Sequence, residues 1–268
     1  MAKLRETIGR VLIIAYKENT DNLETTLTQE GLPYQLLRQQ HLPEYQNYSP
    51  SYLCLLNHYR AWEIASQQTD LTLILEADFV PVEGFAQLPL PFSLDQQNVG
   101  IAWLYTCAPQ VYSISPQGYA EGYSASTVAY IVTPDAAQLL LNLPTSYQPD
   151  SYSSWDSHLD QYLRGHNLIN YLPFRNYGEH GGKPNLEHQK VGLSKTHRAD
   201  VIYGKLAFNP FYAETGSSQF FGVRLQGRLK GLTRLVTGRF IRYKIIFNSR
   251  NPWRLIRFAI TRQLSLRI

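Results

Sequence analysis

The sequence predicts an α/β fold: one large domain, or one domain with an appendage. Segments of strand and helix character alternate along the first two-thirds of the chain. Residues 71–75 are continuously apolar, as expected for a strand covered on both faces, and two carboxylates, Glu76 and Asp78, follow at once. With 268 residues, 44% of them hydrophobic, the chain can bury a substantial core.

Each predicted element has a local signal. Strands are predicted at residues 10–16, 34–38, 71–76, 99–105 and 126–132, and helices at 20–29, 50–67, 134–141 and 153–164. The first helix has Thr20 or Asp21 as its N-cap and Gly31 after its end, and Ser49-Pro50 opens the second. Pro134 starts the third helix, and Gly165 closes the fourth. This succession is of the βαβ type.

Glu76 and Asp78 are the most informative residues. Carboxylates at positions i and i+2 of an extended chain share a face and can approach one hard divalent cation together. At the carboxyl edge of an α/β sheet they point into the crevice where ligands bind, and the cation would hold a diphosphate. The alternative is that the two acids only begin a surface loop.

Charge divides the chain into residues 1–214 and 215–268. The first part has 13 Lys and Arg against 21 Asp and Glu, whereas the second has 12 Lys and Arg and no acidic residue. We therefore predict a catalytic domain at 1–214 and a basic C-terminal extension at 215–268. The extension predicts an anionic partner, either a membrane surface or a nucleic acid.

Periodicity in the extension favours the membrane. Six apolar residues recur at helical spacing: Leu225, Leu229, Leu232, Val236, Phe240 and Tyr243. This pattern predicts an amphipathic basic helix, which Gly227 and Gly231 weaken, and residues 253–260 resemble an interfacial anchor. The alternative is that the apolar stripe packs on the catalytic domain and the arginines face solvent.

Several classes are excluded. The two cysteines, Cys54 and Cys107, are far apart and indicate neither a zinc site nor a disulfide framework, which favours a reducing cytosol. No uncharged apolar stretch is long enough to span a membrane. We expect a cytoplasmic protein that is peripheral on the inner face of the membrane.

Three segments resemble glycosyltransferase family 25, whose members build bacterial lipopolysaccharide and related glycans. They are residues 57–65, which begin Asn57-His58-Tyr59-Arg60-Ala61-Trp62, residues 73–78, Leu-Ile-Leu75-Glu76-Ala77-Asp78, and residues 126–137. In the family a Ser-His-x-x-Ala-Trp helix precedes a Leu-Glu-Asp-Asp motif, and a small-residue strand then leads into an Ala-Ala helix. The chain departs from this pattern at Asn57 and at Ala77.

The resemblance implies a GT-A-type fold, with a Rossmann-like mixed sheet, and a metal-dependent, inverting hexosyltransferase. The donor would be a uridine diphosphate sugar of the galactose or glucose type, the cofactor Mn²⁺ or Mg²⁺, and the acceptor a glycan or lipid-linked sugar. Glu76 and Asp78 would hold the metal. Asp156 corresponds to a family carboxylate at a helix start and would be the base, beside Trp155 for a sugar face, with Asp160 in reserve. The alternative for Asp156 is a helix-capping role.

The nucleotide would meet the ends of the first two strands. We expect Ala15, Tyr16 and Lys17 after the first strand and Arg38 after the second to border it, together with Glu76. Tyr16 would stack on the base, unless it is simply a core residue. We expect His58 to position this site, although a hydrogen-bonded core histidine is the commoner role.

Residues 177–200 are dense in ligand-type side chains. We expect His180, or else His197, to complete the metal shell, because Gly181 and Gly182 allow close backbone approach. Lys195 and Arg198 would meet the diphosphate. The alternative is a mobile polar loop.

Two other functions stay open. One is a metal-dependent phosphohydrolase, and the other is a non-catalytic module that binds glycans or membranes. No specific nucleic-acid partner is expected.

Overall fold

The structure is a computed structural model that describes residues 2–144, 147–214 and 216–264. Its strands are β1 (Ile8–Ala15), β2 (Tyr34–Arg38), β3 (Leu71–Glu76), β4 (Phe79–Pro81), β5 (Val99–Trp103), β6 (Gln110–Ile114), β7 (Ala120–Tyr123), β8 (Ala129–Val132), β9 (Ile169–Leu172) and β10 (Gly178–His180). Its α-helices are α1 (Leu4–Thr7), α2 (Asp21–Gln29), α3 (Pro50–Ser66), α4 (Pro134–Leu140), α5 (Leu159–Gly165), α6 (Leu186–Lys190), α7 (Ser217–Val236), α8 (Tyr243–Asn248) and α9 (Pro252–Gln263). Short 3-10 helices lie at Pro43–Asn47, Phe85–Gln87, Trp155–His158 and Phe211–Ala213.

Eight strands form one mixed sheet in the order β2-β1-β3-β8-β5-β9-β7-β6. Strand β1 pairs in parallel with β2 and β3, whereas β8 runs antiparallel between β3 and β5. Strands β4 and β10 make a separate antiparallel ribbon. This mixed sheet, flanked by helices, confirms the predicted α/β class.

The sheet separates two hydrophobic cores. Alternate residues of β3 enter opposite cores, since Leu73 and Leu75 pack with α2 on one side and Ile74 packs with α3 and α4 on the other. Both faces of the central strands are therefore buried, which is why the β3 segment is apolar without alternation.

The predicted starts of the helices that became α3 and α4 are confirmed by their caps. The Ser49 hydroxyl accepts a hydrogen bond from the Tyr52 amide at the start of α3, and Thr133 accepts one from Ala136 at the start of α4. The helix predicted at 153–164 is divided into a 3-10 turn at Trp155–His158 and α5. The sequence analysis did not predict β6 and β7, which form a hairpin at the end of the sheet.

The C-terminal helices pack on the domain through buried ion pairs. The Arg224 guanidinium on α7 lies 2.6 Å from the Glu179 carboxylate, and the two side chains are 3% and 0% exposed. On α9, Arg262 makes two hydrogen bonds to Asp200 and is itself buried. The expectation that arginines of this region face solvent is therefore wrong for these two.

The apolar stripe of α7 mostly faces outward. Leu225, Leu229 and Val236 are exposed, whereas Phe240, just after the helix, is buried. Gly227 is on the inward face, where a Cβ atom would overlap the Ala199 carbonyl oxygen. No described helix has the length and apolar character needed to cross a membrane.

Candidate functional site

A crevice of about 800 Å³ opens at the carboxyl ends of β1, β2 and β3. Its walls include Ala15 and Tyr16 at the end of β1, Gln39 just after β2, and Glu76 and Asp78 at the end of β3. These three strands are parallel, so their carboxyl ends meet at one edge of the sheet. Its volume is within the range of small-molecule sites, and the predicted acidic pair lies inside it.

A row of buried hydrogen bonds fixes Glu76. The Trp62 indole can only donate, and it donates to the Tyr130 hydroxyl oxygen at 2.8 Å. The Tyr130 hydroxyl also lies 2.8 Å from His58 Nδ1; because the Glu76 carboxylate can only accept, a neutral His58 carries its hydrogen on Nε2 and accepts from Tyr130 at Nδ1. Nε2 faces Glu76 Oε1 at 3.3 Å, and the Thr127 hydroxyl donates to the same oxygen at 2.8 Å.

The pKa of Glu76 reflects this support. Burial raises the pKa, but the hydrogen bonds from His58 and Thr127 outweigh it and hold the pKa below its usual value. Glu76 therefore enters the crevice ionised and rigid. His58 contacts this carboxylate and does not line the crevice, and its predicted role in positioning the site stays a prediction.

Asp78 is held differently. His180 Nε2 lies 3.3 Å from Asp78 Oδ2, while Asp78 Oδ1 is buried and has no hydrogen-bond partner among the described residues. A Cβ atom at position 182 would overlap Asp78 Oδ2, so any larger residue there would displace the Asp78 carboxylate. Burial raises the pKa of Asp78, and the negative charges of Glu76 and Glu18 raise it further.

This arrangement fits a hard divalent cation. Glu76, Asp78 and Glu18 all line the crevice, and oxygen donors of this type are what Mn²⁺ and Mg²⁺ prefer. Asp78 Oδ1 has no hydrogen-bond partner among the described residues, and the negative charges of Glu76 and Glu18 repel the Asp78 carboxylate. A bound cation would satisfy this oxygen and relieve the repulsion. Glu18 was not predicted, because its position after β1 gives no signal apart from the fold.

His180 reaches the acidic pair, but as a donor. Arg198 lies 3.0 Å from His180 Nδ1 and can only donate, so Nδ1 accepts and Nε2 carries the hydrogen that faces Asp78. In this arrangement His180 orients the carboxylate and offers no lone pair to a metal. Arg198 also donates to the carbonyl oxygens of His180 and Gly182, so it braces this segment instead of facing a diphosphate.

His197 belongs to another cluster. Its Nδ1 lies 3.1 Å from Cys107 Sγ, and its Nε2 lies 3.2 Å from His188 Nδ1. Burial, together with the neighbouring cations, lowers the pKa of His197 to about 4. The prediction of His197 as a metal ligand is not supported by these contacts. Lys195 is exposed and does not line the crevice.

Of the residues predicted to border the nucleotide, Tyr16 lines the crevice and Arg38 does not. Tyr16 is 43% exposed at the crevice. The centroid of its ring lies 5.3 Å from the centroid of the His41 ring and 4.9 Å from Lys17 Nζ. This open ring is available for stacking, whereas a core role is excluded. Arg38 does not line the crevice, because its guanidinium donates to the carbonyl oxygens of Tyr16 and Glu18 and so holds the loop after β1.

Asp156 does not line the crevice, although its surroundings raise its pKa in the direction that suits a base. It is half-buried in the 3-10 turn, and burial, together with the charge of Glu76, raises its pKa. Trp155, beside it, packs 5.0 Å from the His58 ring and is buried, so the expectation that it presents a sugar-binding face is wrong.

Asp160 is a structural carboxylate. It is buried and accepts hydrogen bonds from the Tyr112 hydroxyl and the Asn170 amide, both at 2.9 Å. Both of its oxygens are thus occupied away from the crevice. These hydrogen bonds make Asp160 the weaker of the two candidates for a base.

A second group of residues near the crevice carries atoms that could bind a metal. The donor atoms of Cys54, His58 and Glu76 lie within 4.8 Å of one another. However, burial raises the pKa of the Cys54 thiol well above its usual value, and the His58 Nε2 hydrogen already faces Glu76. His58 is therefore better described as a hydrogen-bonded support for Glu76 than as a ligand of a metal centre.

Several site residues carried no signal in the sequence. Thr127 and Tyr130 are in or next to β8, and they meet the site only because this strand pairs with β3 in the antiparallel direction. Gln39 and Tyr48 line the crevice from the segment between β2 and α3.

No protein-family model and no curated protein matches the chain. Among solved structures, a glycosyltransferase involved in glycosylation of the major capsid of PBCV-1 has a TM-score of 0.39 and 15% identity, over 62% of this chain and 83% of that one. A mutant Drosophila β-1,4-galactosyltransferase 7 with manganese, UDP-Gal and xylobiose has a TM-score of 0.36 and 11% identity, over 61% and 65%. A putative glucose-1-phosphate thymidylyltransferase from Bacillus anthracis has a TM-score of 0.39 and 13% identity, over 67% and 73%. Similarities this low carry no argument about activity, and membership of glycosyltransferase family 25 stays a prediction.

Proposed function

We propose that this protein is a metal-dependent glycosyltransferase that uses a nucleotide-diphosphate sugar. One observation carries the proposal: the crevice places an ionised Glu76 and a partly unpaired Asp78 side by side at the carboxyl edge of parallel strands. The residue pattern that resembles glycosyltransferase family 25 agrees with this. Inverting transfer of galactose or glucose from a uridine diphosphate sugar remains part of the proposal.

The residues divide the chemistry between them. Glu76 and Asp78, with Glu18 nearby, would hold Mn²⁺ or Mg²⁺, which when bound supplies positive charge against the departing diphosphate. Tyr16 offers an open ring to the nucleobase. His58 would keep Glu76 in place, and His180 would do the same for Asp78.

Asp156 would act on the acceptor. Its carboxylate takes the proton from the acceptor hydroxyl as that oxygen bonds to the anomeric carbon, and the bond from this carbon to the diphosphate oxygen breaks. The leaving group keeps the electron pair. Its surroundings raise the pKa of Asp156 towards neutral pH, and a base whose pKa is nearer to the working pH accepts a proton more readily.

We also propose that the acceptor is a glycan or a lipid-linked sugar, as in bacterial lipopolysaccharide synthesis. Residues 215–268 would hold the enzyme on the anionic inner face of the cytoplasmic membrane. The excess of positive charge and the outward stripe of α7 support this placement.

Thermal unfolding in the presence of nucleotide sugars tests the proposal. A uridine diphosphate hexose should raise the melting temperature only when Mn²⁺ or Mg²⁺ is present, and Asp78→Asn should remove this effect. The matched control is Asp95→Asn, which changes an exposed carboxylate outside the crevice. Metal-dependent protection of Asp78→Asn, or no protection of the wild type by any nucleotide sugar, would contradict it. Phosphate release from a generic ester would instead support a phosphohydrolase.

A further inference from the structure

A basic groove lies apart from the crevice, between strand β6 and helices α8 and α9. It has a volume of about 610 Å³, and three exposed cations line it: Arg242, Lys244 and Arg250. The described residues that line it include no carboxylate. We call this feature the basic groove.

The chemistry of the basic groove suits an oxyanion. Besides the three cations, the amide side chains of Asn248 and Asn251 line it, and these groups can donate hydrogen bonds. A phosphate group accepts charge-assisted hydrogen bonds from guanidinium and ammonium groups, and these are stronger than neutral ones. A phosphate monoester or diester is therefore the class of ligand that fits.

The surroundings of the basic groove indicate that this phosphate belongs to a lipid. Phe247 on α8 and Trp253 on α9 are 84% and 76% exposed, on the same two helices that line the groove. Aromatic side chains next to cations are typical of segments that lie in a membrane interface. Leu225, Leu229 and Val236 on α7 are also exposed, and a soluble phosphate or a nucleic acid would leave these aliphatic side chains uncovered.

We propose that the basic groove binds the phosphate head group of an anionic membrane lipid, while Phe247 and Trp253 enter the interfacial layer. This deepens the membrane placement proposed above, and it is independent of the transfer chemistry. The groove supplies lipid selectivity through charge, and the aromatic side chains supply binding that does not depend on lipid charge.

Vesicle partition measures both parts. The triple variant Arg242→Gln, Lys244→Gln and Arg250→Gln should lose roughly 100-fold in partition onto phosphatidylcholine–phosphatidylglycerol vesicles, because each basic residue near an anionic surface contributes about fivefold. Partition onto phosphatidylcholine vesicles should change little. A control that removes the same charge elsewhere consists of Lys3→Gln, Arg5→Gln and Lys205→Gln, and it should partition within about twofold of the wild type.

The aromatic side chains need their own comparison. Phe247→Ser with Trp253→Ser should weaken partition onto both kinds of vesicle. The control Leu94→Ser with Val191→Ser changes exposed apolar residues outside the groove and should have no such effect. Unfolding curves of each variant separate loss of binding from loss of fold.

Three results would overturn the proposal. The first is wild-type partition of the groove variant, and the second is an equal loss in its charge control. The third is that the wild type binds inorganic phosphate or duplex DNA and loses this binding in the groove variant, while the partition of the groove variant onto vesicles equals that of the wild type. Asp78→Asn should partition normally, so a failed transferase assay and a failed groove are distinguishable.

Discussion

Replacing Arg224 with Met should destabilise the whole domain. Arg224 is on α7, yet its guanidinium contacts Glu179, which is fully buried next to His180. Met keeps the length of the side chain and removes the charge. The Glu179 carboxylate would then stay buried without its counter-ion.

The expected loss can be worked out from the remaining partners of Glu179. Removing one member of a buried ion pair costs about 3–5 kcal/mol. Glu179 would keep hydrogen bonds from the Ala199 and His180 amides and from the Tyr212 hydroxyl, so we expect the lower end, about 3 kcal/mol. For a chain of this size this corresponds to a fall of about 6–12 °C in melting temperature.

Urea unfolding followed by tryptophan fluorescence measures the change. Glu179→Gln combined with Arg224→Met removes both charges and should recover about 2 kcal/mol relative to Arg224→Met alone. Lys230→Met changes an exposed cation of the same helix and should stay within about 0.5 kcal/mol of the wild type. If the double variant is no more stable than Arg224→Met, or if Lys230→Met is equally damaging, the ion-pair reasoning is refuted.

Three further predictions concern the crevice. Asp156→Asn should abolish transfer without lowering stability at neutral pH, because the pKa of this carboxyl is raised in the folded protein and its ionised form therefore costs folding energy above that pKa. Wild-type turnover should fall as the pH drops through the pKa of Asp156. A flat pH–rate profile would exclude Asp156 as the base. Gly182→Ala should weaken Mn²⁺ binding in calorimetry at least tenfold, because the new methyl group displaces Asp78, and undiminished binding would show that Asp78 is not a ligand. Tyr130→Phe should cost about 1–3 kcal/mol in urea unfolding, because it leaves the Trp62 indole and His58 Nδ1 without a partner, and a cost below about 0.5 kcal/mol would exclude this hydrogen-bond row as a support.

The N-terminal half of the fold was predictable from local signals. Strands β1 to β3 and helices α2 and α3 each have an apolar run, a cap or a terminator of their own, and the crevice follows from their parallel order. The acidic pair was predictable because charge at the end of an apolar strand is unusual.

Contacts between distant segments could not be predicted. The partners of Arg224 and Arg262 are 45 and 62 residues away in the sequence, so nothing local marks these arginines as buried. Gly227 did carry a signal, because a glycine inside a helix permits close approach of another backbone. It was interpreted as weakness of the helix, whereas it marks the packing face.

These burial patterns also limit one obvious experiment. Deleting residues 215–268 would strip Glu179 and Asp200 of their counter-ions, so a truncated chain would report on folding as much as on membrane contact. Point substitutions on the outward surface avoid this difficulty.

The hydrogen-bond row from Trp62 to Glu76 begins at an indole, which can donate but never accept. Trp62, Tyr130 and His58 all lie outside the crevice wall, so the orientation of the Glu76 carboxylate is set by residues of the interior. Substitutions in the crevice wall can therefore change what it binds and still leave this support intact.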